Sequence, residues 1–164
     1  MCGDGIGLHA EVLTFSRLCS RILLETGGRP GTALDAGGRI LVMHLALTAA
    51  APALQLFGAG VRGTDFLKSL VEMYDEFRVA RIRPEDLAEA SSRLEGSLGR
   101  KLRDLAVVFA AYDAAVPEGM YDPADRLDVL AEQMASSAFG REGDVYVDGF
   151  ADFTAQERDR KSVV

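Results

Sequence analysis

Asp148 closes a short apolar run, Val145-Tyr146-Val147, and is followed by Gly149. In nucleotide hydrolases an apolar strand delivers such an Asp to bound magnesium, and a Glu beside it polarises the attacking water. Gly149 stands in that second position and offers no base, so Asp148 could still approach a metal while hydrolysis there should fail. The pair also reads as an ordinary turn begun by Asp148 and completed by Gly149, and at this point both readings stay open. Other chemistry-bearing residues are more scattered. Gly3, Gly5 and Gly7 fit neither the dinucleotide spacing nor a Lys-containing phosphate loop, no strand precedes them, and a plain loop is expected. His9 and His44 are isolated, and Cys2 and Cys19 do not stand at metal-ligand spacing with each other or with the histidines. Spacing alone yields no Ser/His/Asp or Cys/His set. Glu85-Asp86 and Asp122/Asp125 fall at expected helix starts, where capping and the helix dipole account for them without catalysis.

The chain that must position these groups has 164 residues, 48% hydrophobic and 26% charged, with 18 Lys+Arg against 25 Asp+Glu and a net charge of -7. This composition fits a soluble globular chain with room for one ordinary core and excludes disorder as the main state. The acidic balance argues against a domain that holds DNA by blanketing it with positive charge, so any nucleic-acid contact should be local. The first ten residues lack the basic start and apolar run of a secretory signal, and the low cysteine content suits a reducing interior, so a cytoplasmic setting is expected. Residues 40–57 (ILVMHLALTAAAPALQLF) raise the membrane question, but His44, Gln55 and a mid-run Pro52 favour a buried helix ended by the proline.

Residues 10–15 (AEVLTF) read as a short buried strand, followed by a helix capped by Ser16, with Leu18, Cys19, Ile22 and Leu23 on one face and a stop at Gly27-Gly28. From Asp35 to about Thr154 the period is almost all helical. Ile40, Leu41, Leu45 and Leu47 mark one helix, and Phe66, Leu67, Leu70, Val71, Tyr74 and Phe77 a second. Pro84 opens a third, with carboxylates in its first turn. The stripe Leu98, Leu102, Leu105, Val108, Phe109 and Tyr112 gives the longest, and Asp122-Pro123 begins another carrying Leu127, Leu130 and Met134. A strand returns at residues 144–150. The expected fold is therefore mainly α, with two short parallel-type strands at the ends. Two end strands around a helical middle lack sheet partners of their own, so the chain reads as an excerpt of a larger α/β domain with a helical insertion.

The segment Leu13-Thr14-Phe15-Ser16-Arg17-Leu18-Cys19-Ser20-Arg21-Ile22-Leu23, with Glu25-Thr26-Gly27-Gly28, resembles the "SFSRLAWRVLQETGG" stretch of the AddB subunit of bacterial AddAB helicase-nucleases. Residues 144–157 (DVYVDGFADFTAQE) are similar to that family's "IYVDGF..FTPQE" segment, and Arg83-Pro84-Glu85-Asp86-Leu87 resembles an internal "PEDL" stretch. These motifs span nearly the whole chain in the family's order.

The resemblance implies a superfamily 1 helicase-like region, an excerpt of a P-loop domain whose motor is inactive. Thr14-Phe15-Ser16 corresponds to the helicase "TFHSF" motif, which touches single-stranded DNA in active relatives. Thr14, Ser16 and Arg17 are thus candidate strand contacts, since hydroxyls and a guanidinium bind phosphate oxygens; a Ser16 cap and a solvated Arg17 remain the alternative. Asp148 to Phe150 corresponds to the Walker B "DEF", degenerate at Gly149, and Gln156 lies one residue closer to Asp148 than the motif glutamine would. On this reading residues 1–34 are a partial helicase-like segment, 35–140 the helical insertion, 141–158 the degenerate Walker B segment, and 159–164 an artefactual tail, because DRKSVV can be encoded by GAT CGG AAG AGC GTC GTG, a sequencing adapter read in frame. The family's ATP, magnesium and iron–sulfur cluster would be held by residues outside this chain, leaving no cofactor here. The implied partners are an AddA-type helicase/nuclease subunit and DNA, with no membrane, and the implied role is processing of double-strand ends for recombinational repair. A stand-alone helical interaction domain is the rival reading.

Overall fold

The computed structural model describes residues 12–26, 32–58, 63–134, 136–142, 146 and 148. Helix α1 (Phe15–Glu25) turns Leu18, Cys19, Ile22 and Leu23 inward at helical spacing. Its cap is Thr14, which has extended backbone angles and an Oγ1 that accepts the Arg17 N–H at 3.3 Å. This corrects the expected strand over 10–15 and the expected Ser16 cap: Val12 to Thr14 form no strand, Val12 is 93% exposed, and Ser16 falls in the first helical turn. Three apolar residues are too few to separate a strand from the lead-in of an amphipathic helix. The Gly27-Gly28 stop lies outside the described residues. Thr26 ends the helix, its hydroxyl donating to the Ile22 carbonyl at 2.9 Å.

The two short strands are parallel, but they lie inside the chain. Strand β1 (Thr32–Ala33) pairs with β2 (Met120–Tyr121), Thr32 opposite Met120 and Ala33 opposite Tyr121. Flanking bonds from Thr32 N–H to the Gly119 carbonyl and from Leu34 N–H to the Tyr121 carbonyl, both 3.0 Å, extend the ladder. Two residues are too short for any period to reveal. The strand expected at 144–150 lies mostly outside the described residues, and its described members Tyr146 and Asp148 are not in a strand.

The middle follows its periodicity. Helix α2 (Ala36–Ala50) is capped by Asp35, whose carboxylate accepts the Gly38 N–H at 2.6 Å, and it gives way to a 3₁₀ turn at Ala51–Ala53 that contains Pro52. Only one face of α2 is buried, through Val42, Met43, Ala46, Leu47 and Ala50, while Leu41 and Leu45 are exposed. Helices α3 (Thr64–Val79), α4 (Pro84–Ser92) and α5 (Gly96–Ala115) complete this layer. Pro84 occupies the first helical position of α4, and the Asp86 carboxylate accepts the Arg83 N–H at 2.8 Å. Tyr74 of α3 packs against Phe109 and Tyr112 of α5, with ring centroids 5.4 and 4.8 Å apart, at the centre of the larger core. Aromatic pairs at this spacing stabilise by ~0.5–1.5 kcal/mol beyond their buried area.

A smaller core lies elsewhere. After a 3₁₀ turn at Pro123–Asp125, helix α6 (Arg126–Met134) sets Leu130 and Met134 against Leu18, Cys19, Ile22 and Leu23 of α1. Helix α7 (Ala138–Glu142) joins through Phe139, and its Ala138 N–H donates to the Glu25 carboxylate. By sequence position α6 falls within 35–140, yet it shares its core with α1.

The turn from α4 to α5 depends on two glycines. Gly96 has φ +79°, and a Cβ on Gly99 would collide with the Leu94 carbonyl oxygen. A methyl group there must push the turn away from α5. Gly99→Ala is expected to lower stability in denaturant unfolding by about 1–3 kcal/mol, as overpacking does. An unchanged midpoint would contradict this close approach.

Candidate functional site

A fully buried carboxylate stands where β2 leads into α6. Asp122 is fully buried and caps the Pro123–Asp125 turn, its Oδ1 accepting the Ala124 N–H at 2.8 Å. Its Oδ2 accepts from Arg39 Nε at 2.8 Å and from the Tyr112 hydroxyl. Arg39 also grips Asp75 with both terminal nitrogens, at 3.0 and 2.5 Å. One guanidinium therefore holds α2, α3 and the β2–α6 connection together. Burial is the largest influence on Arg39 and opposes its charge, but the Asp75 and Asp122 hydrogen bonds outweigh it and raise its pKa. Burial, followed by the Asp122 bond, raises the Tyr112 phenol as well.

Two further pairs continue along the same segment. Asp125 accepts from Arg78, and Asp128 lies 3.4 Å from Arg81. Arg78 lies over the Tyr74 ring, 5.3 Å from its centroid, and the Tyr74 hydroxyl donates to Asp113 at 2.6 Å. Burial pushes the Asp125 carboxyl up to about 6 against the pull of the Arg78 guanidinium, with Asp122 and Asp113 adding to the rise. A separate buried carboxylate, Asp104, accepts the backbone N–H groups of Gln55, Leu56 and Phe57 at 2.9, 2.7 and 3.0 Å and so fixes the loop after Pro52. These are structural roles. Asp122 was legible as a cap, whereas its bonds to Arg39 and Tyr112 were not. A charge directly ahead of an apolar run was the available signal, in Arg39 before ILVM and in Asp104 before LAVVF.

The residues singled out from the sequence are distributed differently. Thr14 and Arg17 stand at the exposed start of α1, where the Thr14 hydroxyl already serves the cap. Ser16 lies in the first turn of α1, and nothing is described of its side chain. Asp148 is exposed, while Gly149 and Gln156 lie outside the described residues, so the structure gives no geometry for the Walker B-like set. No group of three His, Cys, Asp or Glu side chains that could hold a metal forms among the described residues.

A family model described as "ADDB, N-terminal" matches residues 3–159. The chain belongs to the AddB N-terminal family. Similar relatives include the B subunit of the ATP-dependent helicase/deoxyribonuclease of Moorella thermoacetica, 33% identical over 155 residues, covering 91% of this chain and 14% of the relative. The proteins of the same description from Caldanaerobacter subterraneus and Listeria monocytogenes are 28% and 27% identical, each covering 92% of this chain and 13% of the relative. The chain thus spans about one-seventh of the length of the curated relatives it matches. Within the AddB N-terminal family assignment, the Asp122–Arg39 junction supports the fold, and the start of α1 is the surface where the sequence motif and exposed polar groups coincide.

The shifted carboxyl of Asp125 has a measurable consequence. Its native value of about 6 lies above the ordinary aspartate value of ~3.9, so the native state holds the proton to higher pH than the unfolded chain. Its contribution to stability therefore falls as pH rises from about 4 to about 6. A carboxyl-carbon NMR titration is expected to show an Asp125 midpoint near 6, and Asp125→Asn should flatten that part of the stability profile; a midpoint near 4 would contradict the burial argument.

Proposed function

We propose that this chain is the N-terminal part of an AddB-type subunit that acts with an AddA-type helicase/nuclease partner on DNA, in the processing of double-strand ends for recombinational repair. The observation that carries this reading is the family match over residues 3–159, together with relatives described as B subunits of an ATP-dependent helicase/deoxyribonuclease. In this proposal the region works in the cytoplasm as a non-hydrolysing scaffold and as part of the DNA-channel wall. Gly149 supports the non-hydrolysing role, because a side chain without an acceptor cannot draw a proton from water.

The start of α1 is the proposed strand contact. Exposed Arg17 can donate to phosphate oxygens, and the Thr14 hydroxyl, which accepts the Arg17 N–H, still has its own proton to donate. The positive end of the helix dipole favours the same anion. Binding of single-stranded DNA to the full-length subunit and its partner, followed over a salt series, tests this. Arg17→Ala is expected to weaken binding and to reduce the salt slope by ~0.7, the value for one phosphate contact on a single strand. Unchanged affinity and slope would remove Arg17 from the strand path.

A further inference from the structure

We infer that the groove between α4 and α5 is a second binding surface for a nucleic-acid phosphodiester strand, with Arg100 and Arg103 as its cationic contacts. The inference rests on the AddB-type reading and extends it to a surface remote in sequence from the α1 motif. The groove has a volume of about 650 Å³, opens to solvent, and is lined in part by Gln55, Ser91, Ser92, Leu94, Arg100 and Arg103.

Charge distribution singles it out. Across an acidic chain, Arg39, Arg78, Arg81 and Arg93 each hold a carboxylate. Arg100, Lys101 and Arg103 are exposed and enter no ion pair among the described residues. Arg100 and Arg103 stand three residues apart on a helix, which puts their Cβ atoms ~5–6 Å from each other on one face. Two guanidiniums so placed can take successive phosphates of one strand. No carboxylate is among the groove's lining residues, and Asp104, next to Arg103 in sequence, is buried and engaged by three backbone N–H groups. Glu95 is exposed at the start of α5 and is not among the lining residues.

The shape is held by the fold. Asp104 fixes the Gln55–Phe57 loop, so Gln55 is presented to the groove from a rigid backbone. The close contact at Gly99 holds the α4–α5 turn against α5 and keeps that wall free of a side chain. Ser91 and Ser92 donate their hydroxyl protons to the Ala88 and Glu89 carbonyls, which leaves the arginines and the Gln55 amide as donors toward a ligand. Leu94, Ala106 and Val107 add an apolar strip beside them, suited to sugars and bases. An open cationic groove with an apolar strip fits a strand passing through better than an enclosed small anion.

The experiment compares the native complex, Arg17→Ala and the double variant Arg100→Ala/Arg103→Ala in the full-length subunit with its partner, by fluorescence anisotropy over a salt series with single-stranded and blunt duplex probes. Both arginines are exposed, so the double variant should keep its melting temperature and its partner. The expected result is binding at least about fivefold weaker and a salt slope smaller by ~1.4 on the single strand or ~1.8 on the duplex, the probe affected identifying the source of the phosphates. Unchanged slopes on both probes, or loss of the partner with DNA affinity intact, would overturn the groove assignment while leaving the AddB-type reading in place. Failure of the native complex to bind either probe would remove that reading and the groove together.

Discussion

A single buried carboxylate constrains how the two cores meet. Asp122 cannot be withdrawn from water without compensation, and its oxygens are satisfied by Arg39, the Tyr112 hydroxyl and the Ala124 N–H. Arg39 in turn has Asp75 as a second partner, so a charge on α2 is neutralised from α3 and from the segment that leads into α6. Because α6 carries the inner face of α1, this network sets where the smaller core sits against the larger one. The pairs at Asp125 and Asp128 follow at intervals of three residues, facing Arg78 and Arg81. They are more exposed and contribute less, since solvent screens what burial does not protect.

Much of the helical layer was legible from residue spacing. The stripe of α3, that of α5 apart from its exposed first member Leu98, the proline start of α4 and the end of α2 before Pro52 follow from period and proline chemistry, which act locally. What the sequence hid was non-local. Thr32–Ala33 and Met120–Tyr121 become strands only because a distant segment completes each ladder. Val12-Leu13 looked like strand for want of knowing that α6 would supply an apolar surface for the helix just after it. Thr14 rather than Ser16 became the cap through a shift of helix start by two residues, a boundary that local preferences fix poorly.

The candidate site divides along the same line. Thr14 and Arg17 were nameable because a motif resemblance pointed to them, and the fold leaves both exposed at a capped helix start. Arg100 and Arg103 belong to no motif and gain significance only from lacking carboxylate partners, among the described residues, beside an open groove. In an acidic chain of net charge -7, local exposed cations of this kind are the places where an anionic polymer can be held.

The most direct measurement of the central claim is a double-mutant cycle between Arg39 and Asp122, using Arg39→Met, Asp122→Asn and the pair in denaturant unfolding. Arg39→Met leaves the buried Asp122 charge without a counter-charge and should cost ~3–5 kcal/mol, Asp122→Asn leaves Arg39 with Asp75 as its carboxylate partner and should cost ~1–3 kcal/mol, and the pair should cost at least about 1 kcal/mol less than the sum. A coupling within ~0.5 kcal/mol of zero would contradict the account, because the two residues would then act independently and the junction would be held by something else.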